Sequence, residues 1–526
     1  MFTTEEDTSL QTKKKTLSYR FLFSSLLSLL LISSCAPTTP SVDTTSLSTD
    51  PTISSPSVSE EPSTTGTQPS ISEEGSTSQP NENTPTEINF DVYTLNDFHG
   101  ATKFVNQTYP EIGLAKLSTL FRSYAEENTS FFLSSGDMWQ ETIESNSNRG
   151  EYVTKAFNRI GLDAMTVGNH EFDWGTEYIT KNAAIADYPF LAANIVEKST
   201  GELIEGTVPS VLIDRDGVQV GVIGTIGPTQ YSSISYQYAA MYEFEGEYNH
   251  VVSQAKYLRE KGADIVILSA HDGYGSSDFT TLKKEMINDA SIDMVIAGHT
   301  HTFQSEVYTR RDGKKVPLIQ AYSSGTAYGH VNFTYNTEKE ELELNTYAVK
   351  NFPNLNNVEE DQVILDLYKD NYDVDEMKAE VIGKAKTDFS REKLAILGST
   401  AVYEKIKSMP EYEQYDILTC YHNSARNALG SGDITFEELF LSYPFDNEII
   451  IYAVNSSYIT KGWNYVHSGF NTNVSFTGKK YVAGIDYLAY KQVSLEDGIR
   501  TGLFVRDIVK EYIKNKKEIT ASDFYN

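Results

Sequence analysis

At 526 residues the chain is too long for one ordinary domain, and two folded domains with accessory segments is the expectation. Its 43 basic against 73 acidic residues leave a formal charge of −30, which repels polyanions and excludes a nucleic-acid polymer as partner. A hydrophobic share of 39%, with 12% aromatic residues, is enough to build cores, while two cysteines, Cys35 and Cys420, exclude a disulfide framework or a cysteine-built zinc site, so any metal must be held by His, Asp, Asn or Glu.

The first 35 residues open with Lys13, Lys14, Lys15 and Arg20, continue with an apolar run over residues 21–32 and end in Ser33-Ser34-Cys35. This is the pattern of a secretory signal, and the run is shorter than the roughly 20 residues that span a bilayer. The small residues before Cys35 resemble the lipobox of bacterial lipoproteins, which implies acylation of that thiol and a chain anchored through lipid at the extracellular face of the cell membrane. Residues 36–86 are mostly Ser, Thr, Pro, Glu and Gly, cannot bury a core, and are expected to form a disordered tether.

From residue 87 onward short apolar runs alternate with amphipathic segments, which predicts an α/β layered domain. In chain order, the run 90–95 leads into Asn96-Asp97-Phe98-His99-Gly100 and the run 131–133 into Ser135-Gly136-Asp137. The run 164–167 leads into Gly168-Asn169-His170-Glu171-Phe172-Asp173, the run 264–270 into His271, and the run 292–297 into Gly298-His299-Thr300-His301. The C-terminal ends of strands are where ligand sites of open α/β sheets gather.

Taken singly these clusters say little: Gly-Asp is an ordinary turn dipeptide, and a lone histidine is more often a core or surface residue. Together they hold five of the nine histidines of the chain, in an order that structural roles do not produce. Asp97 and His99, spaced by one, point the same way on an extended strand end, and His299 and His301 repeat the spacing. Asp137 is the natural bridging carboxylate, while Asn169 and His271 complete the ligand set of a second ion. Two divalent ions ~4 Å apart would clamp a phosphoryl oxygen and acidify a water. Such donors suit zinc, manganese, iron or cobalt.

The order Asp97-x-His99, Gly136-Asp137, Gly168-Asn169-His170-Glu171, His271 and Gly298-His299-x-His301 resembles the calcineurin-like metallophosphoesterases. The longer strings Asn96-Asp97-Phe98-His99-Gly100 and Gly168 through Gly175 resemble their bacterial 5′-nucleotidase and UDP-sugar hydrolase branch. The resemblance implies a four-layer α-β-β-α sandwich over residues 87–350. By the family pattern Asp97, His99 and His301 hold one metal, Asn169, His271 and His299 hold the other, and Asp137 bridges both. His170 is then a catalytic group oriented by Asp173, its protonated imidazole stabilising the transferred phosphoryl charge or the leaving oxygen as a water attacks in line. Glu171 is expected to support the loop.

Residues 351–380 read as a connector with an acidic helix over 358–379, and residues 381–526 as a second, smaller α+β domain. Gly432-Asp433-Ile434-Thr435, Glu438-Leu439 and Tyr443-Pro444-Phe445-Asp446-Asn447 resemble the C-terminal domain of the same nucleotidases, which binds the nucleoside. The resemblance implies substrate contacts by Arg391, Asn423 and Arg426, and base stacking by Phe470 and Tyr487. The string Asn423-Ser424-Ala425-Arg426 lacks the glycines of the family, and Ala489-Tyr490-Lys491-Gln492 replaces its Gly-Gly-Asp-Gly run. The expectation is a monomer that hydrolyses 5′-nucleotides to nucleoside and phosphate. The alternatives are hydrolysis of UDP-sugars, 2′,3′-cyclic nucleotides or other small phosphoesters, and, outside enzymes, a surface nucleotide-binding protein.

Overall fold

The structure is a computed structural model that describes residues 86–524 apart from 287–291, 423–424, 455–457, 460–465, 468–473, 476 and 492. None of its described helices is long and apolar enough to cross a membrane.

Two sheets carry the N-terminal half. The first runs in the order Glu341–Asn351, Ala327–Asn336, Glu87–Leu95, Ser130–Ser134, Ala164–Thr166, Phe190–Leu191 and Thr207–Val208. The second runs in the order Phe303–Thr309, Lys315–Ala321, Met294–Ala297, Ile265–His271, Val218–Ile226 and Ser210–Arg215. The strands at the centre of each sheet are parallel, so their C-terminal ends open at the same edge.

Alternation along single strands builds the layers. On Glu87–Leu95, Ile88, Phe90 and Val92 face the core shared by the two sheets, while Tyr93 and Leu95 face the opposite side. On Ile265–His271, Ile265 and Ile267 enter the shared core and Val266, Leu268 and Ala270 turn outward. Strands apolar on both faces must be covered on both. Helices Leu114–Glu127 and Glu151–Ile160 cover the first sheet through Leu117, Phe121, Val153 and Phe157. Helices Glu247–Glu260 and Ser277–Met286 cover the second through Val251, Ala255, Leu258, Phe279 and Leu282. The result is the expected helix-sheet-sheet-helix sandwich.

The connector differs from its reading as one acidic helix. It forms two, Gln362–Asn371 and Asp375–Lys378. Asp361 caps the first by accepting from the Val363 N–H at 3.0 Å, and Asp373 accepts from the Asp375 N–H at 2.9 Å, turning the chain between the helices. Ile364 and Tyr368 belong to the first core, so this segment is packed rather than free. Lys378, nearly buried, joins Glu144 of the first half to Glu437 of the second.

The second half has its own core around a five-stranded sheet, ordered Val466–His467, Ile417–His422, Lys480–Ile485, Glu448–Val454 and Ile499–Phe504. Helix Arg391–Lys407 packs there through Leu394, Leu397 and Ala401, and helix Val505–Lys516 through Ile508, Val509 and Ile513. The Thr435-x-x-Glu438 string forms a capping box that starts helix Phe436–Ser442. That helix ends at Tyr443, and the turn beyond it reaches the strand ends of the first half.

Candidate active site

Five loops meet where the parallel strands of both sheets end. Past Leu95 and Ser134 two of them run side by side, with the Asp97 N–H donating to the Gly136 carbonyl at 2.9 Å and the His99 N–H to the Asp137 carbonyl at 3.0 Å. The strands themselves have ended by then, which corrects the expectation that Asp97 and His99 share a face of an extended segment. Asp97, His99, Asp137, His299 and His301 all have positive φ, between 46° and 67°. This left-handed region is unfavourable for residues with a Cβ and is held only where the surroundings dictate it. Glycine makes the close approach possible: a Cβ on Gly136 would stand 2.8 Å from the Gly168 nitrogen and 2.9 Å from the His271 ring.

The side chains gather into two triads, each with its donor atoms within 4.8 Å of one another: Asp97, His99 and His301, and Asp137, His271 and His299. In the first, Nε2 of His99 lies 2.9 Å from Nε2 of His301, which lies 3.3 Å from the Asp97 carboxylate. In the second, Nε2 of His271 lies 3.2 Å from Asp137, and Oδ1 of Asn169 is 3.1 Å from that nitrogen and 2.7 Å from Nδ1 of His299. His299 and His301 therefore serve different triads, the division that the family resemblance implied. The carboxylate of Asp137 lies in the second triad, and its charge also acts on His99.

The outer hydrogen bonds settle which atoms can ligate. Nδ1 of His99 donates to the Gln140 carbonyl at 3.1 Å and Nδ1 of His271 to the Ser135 carbonyl at 2.7 Å, which leaves each Nε2 facing inward as the atom that could ligate. The backbone N–H of His299 donates to both Asp97 oxygens at 3.0 Å. Glu171 accepts from the N–H groups of Asp137, Met138 and Gly168 at 2.7–2.9 Å, tying the second loop to the third. It is a buckle for the loops, as expected, and burial together with the Asp137 charge pushes its pKa up to about 7. Carboxylate oxygens, an amide oxygen and imidazole nitrogens converging in this way fit a pair of divalent metal ions.

His170 stands at the edge of the second triad, in the turn His170–Phe172. Its Nδ1 is 2.7 Å from the Asp173 carboxylate, and its ring stacks on Phe445 of the second half with centroids 5.6 Å apart. Burial would lower its pKa, but the charges of Asp173 and Asp137 and the Asp173 hydrogen bond raise it to about 9.

A cleft of about 290 Å³ separates these groups from the second half. Asn169, His170, Asp173 and His299 line one wall, and Arg391, Arg426, Phe445 and Tyr487 line the other. Arg391 donates from Nε to the Ala425 carbonyl at 2.7 Å, Arg426 pairs with Glu141, and the Tyr487 ring carries the Lys491 ammonium 3.9 Å from its centroid. Asn423 and Phe470 lie outside the described residues. Sequence reasoning missed the use of Phe445 and Asp446. Asp446 is held by Arg149 at 2.5 Å and by Arg506, while Asn146 donates to the Pro444 carbonyl at 3.1 Å, so the turn is fixed from both halves. The only available signal was the string Tyr443-Pro444-Phe445-Asp446-Asn447, noted as a likeness without a role.

The electrostatics of the triads predict how metal binds. Burial lowers the pKa of His99 far down and, with the His271 charge, that of His299 to about 4, so both present lone pairs. Burial also acts to lower His271, but Asp137 overrides it and raises His271 to about 10. A proton on His271 thus stabilises the metal-free fold. That contribution is whole below the unfolded value near 6.5 and is lost as pH rises through 10. Metal must displace this proton, so affinity for manganese should rise with pH by up to about tenfold per unit between pH 6 and 9. Calorimetric titration in buffers of differing ionisation enthalpy should register the released proton, and a pH-independent affinity would contradict the ligand role of His271.

Comparison with known proteins agrees with this geometry. The family model for calcineurin-like phosphoesterases matches residues 90–303. A snake venom 5′-nucleotidase of Gloydius brevicauda is 27% identical over 63% of this chain and 61% of its own length, so the chain spans about three fifths of that relative. A 5′-nucleotidase of Vibrio parahaemolyticus is 23% identical over 70% of this chain and 72% of its own. The crystal structure of a 5′-nucleotidase precursor from Thermus thermophilus superposes with a TM-score of 0.65 at 20% identity, covering 82% of this chain and 97% of that one. The chain therefore carries a calcineurin-like phosphoesterase domain at residues 90–303, followed by a second domain, in an arrangement similar to the fold of that 5′-nucleotidase precursor.

Proposed function

We propose that the protein hydrolyses nucleotide phosphomonoesters, 5′-nucleotides first among them, to nucleoside and phosphate. The observation that carries this reading is the placement of His170, paired to Asp173, next to the two metal-ligand triads, with Asn169, His170 and His299 lining a cleft whose far wall holds arginine and aromatic side chains. Asp97, His99 and His301 would hold one divalent ion, and Asn169, His271 and His299 the other, with Asp137 between them. Zinc, manganese, iron and cobalt all match the donors. Such a pair supplies Lewis acidity to a phosphoryl oxygen and lowers the pKa of a water.

The chain's own residues do the rest. Asp173 fixes the His170 ring through Nδ1–H and keeps it protonated, leaving Nε2–H to donate to a phosphoryl oxygen or to the leaving ester oxygen. As water adds to phosphorus and the ester P–O bond breaks, the departing oxygen takes that proton. Arg391 and Arg426 supply positive charge on the far wall, and Tyr487 and Phe445 offer apolar faces to a base. The overall charge of −30 opposes anion capture, but two divalent ions and these arginines reverse the sign locally.

Manganese-loaded protein should release phosphate from AMP, with UDP-glucose and 2′,3′-cyclic AMP assayed beside it to separate the monoesterase from its alternatives. Asp137→Asn should abolish measurable turnover, and His170→Ala should lower kcat by about 10² to 10⁴ while Asp173→Asn lowers it less. Activity that survives exhaustive chelation would contradict the mechanism, and binding of nucleotide with no turnover of any ester would favour a surface binding protein.

The reading includes a lipid anchor at Cys35 and a place on the outer face of the cell membrane, supported by the basic, apolar and small-residue order of residues 13–35. Cys35→Ser should move the protein from the membrane fraction to the soluble one. Retention of the variant in membranes would remove this part of the proposal.

A further inference from the structure

Arg426 and Glu141 form an ion pair at the boundary of two clefts. Arg426 lines the one that holds His170, and Glu141 lines the other, together with His99. The positive charge of Arg426 is close enough to act on both His99 and His170, which places the guanidinium next to where a phosphate bound at the triads would sit. An arginine there is suited to a substrate oxyanion, yet it is already occupied by a carboxylate of the same chain.

Glu141 is an unusual residue to find in that place. Its φ is 142°, a conformation that is costly for any residue but glycine, and its N–H donates to Oδ1 of Asn146 at 3.2 Å. Its Oε1 is buried and accepts no aligned hydrogen bond, lying 4.0 Å from Nδ1 of His99 and held to Arg426 by charge. The positive φ shows that the surroundings hold Glu141 in this place, and the guanidinium is the one charged group of opposite sign paired with its Oε1 among the described residues.

We propose that Glu141 is a specificity-determining residue whose carboxylate stands in for a substrate oxyanion on Arg426, so that a phosphate group must displace it to recruit the guanidinium. This rests on the proposed phosphoesterase function and adds to it a built-in competitor. Weakly charged or bulky esters that cannot displace Glu141 would lose the Arg426 contact, whereas a terminal phosphate dianion would gain it. The rival reading is that the pair only ties the two halves of the chain together.

The test uses the full chain loaded with manganese, and compares wild type with Glu141→Gln and Glu141→Gly, the second also relieving the backbone strain. Calorimetry with inorganic phosphate should give a Kd about fivefold lower in both variants, the size expected of losing one partly exposed charge contact. With AMP the gain should appear in KM rather than kcat, and adding Arg426→Ala to either variant should erase it. An unchanged or raised Kd in both variants, or a gain that survives Arg426→Ala, would overturn the proposal, as would a raised KM with a lowered melting temperature, the signature of a mere tie. If wild type turned over no phosphoester, the functional reading would fall, while phosphate calorimetry would still decide the role of Glu141.

Discussion

Nitrogen and oxygen acceptors aimed at one another repel unless a proton or a metal ion lies between them. Nε2 of His99 faces Nε2 of His301 at 2.9 Å, and the Asn169 amide oxygen faces nitrogens of His271 and His299 at 2.7–3.1 Å. Carbonyl groups on the far side of His99 and His271 take up the other ring nitrogens, so the arrangement is enforced from outside. The rest of the active edge follows from holding these donors together: left-handed backbone at five of them, glycine at the points of closest approach, and Glu171 fastening the loops through three N–H groups. Each left-handed residue costs of order 1 kcal/mol or more, which a two-sheet core buried on every face can offset.

The second half completes what the first begins. Beside the arginines and Tyr487 of the far wall it contributes the turn of residues 443–447: Phe445 lies on His170, Asp446 bridges Arg149 and Arg506, and Pro444 accepts from Asn146. The Phe445 contact shields one face of the imidazole whose proton matters, and the pairing of Arg426 with Glu141 brings a cation from the second half to the rim of the metal triads. The groups that line the cleft thus come from both halves, and ion pairs such as Arg149–Asp446 and Arg426–Glu141 join the halves beside it.

Much of this was legible in the amino-acid order. Strands end in runs such as 264–270 and 292–297 because apolar residues on both faces force burial, and the polar residues that follow have nowhere to go but the open edge of the sheet. The Thr435-x-x-Glu438 box marks a helix start in the same direct way. What pattern does not encode is backbone sign. Nothing in Asp97-Phe98-His99 or His299-Thr300-His301 distinguishes an extended alternation from a left-handed one, and so the separation of His299 from His301 could not be read from their spacing. The break in the connector was hidden for a related reason: Asp361 and Asp373 act there as turn and cap acceptors, but in a run rich in acidic residues they look like ordinary helix surface. Phe445 gains its role from a contact with a residue far away in the chain, beyond the reach of any local signal.

Each of the two triads should hold an ion. Crystals grown with manganese and measured for anomalous scattering above its absorption edge test this directly. The expected map has two peaks in each molecule, one among Asp97, His99 and His301 and one among Asp137, Asn169, His271 and His299. A single peak outside both groups, or none where density for all seven side chains is clear, would contradict it.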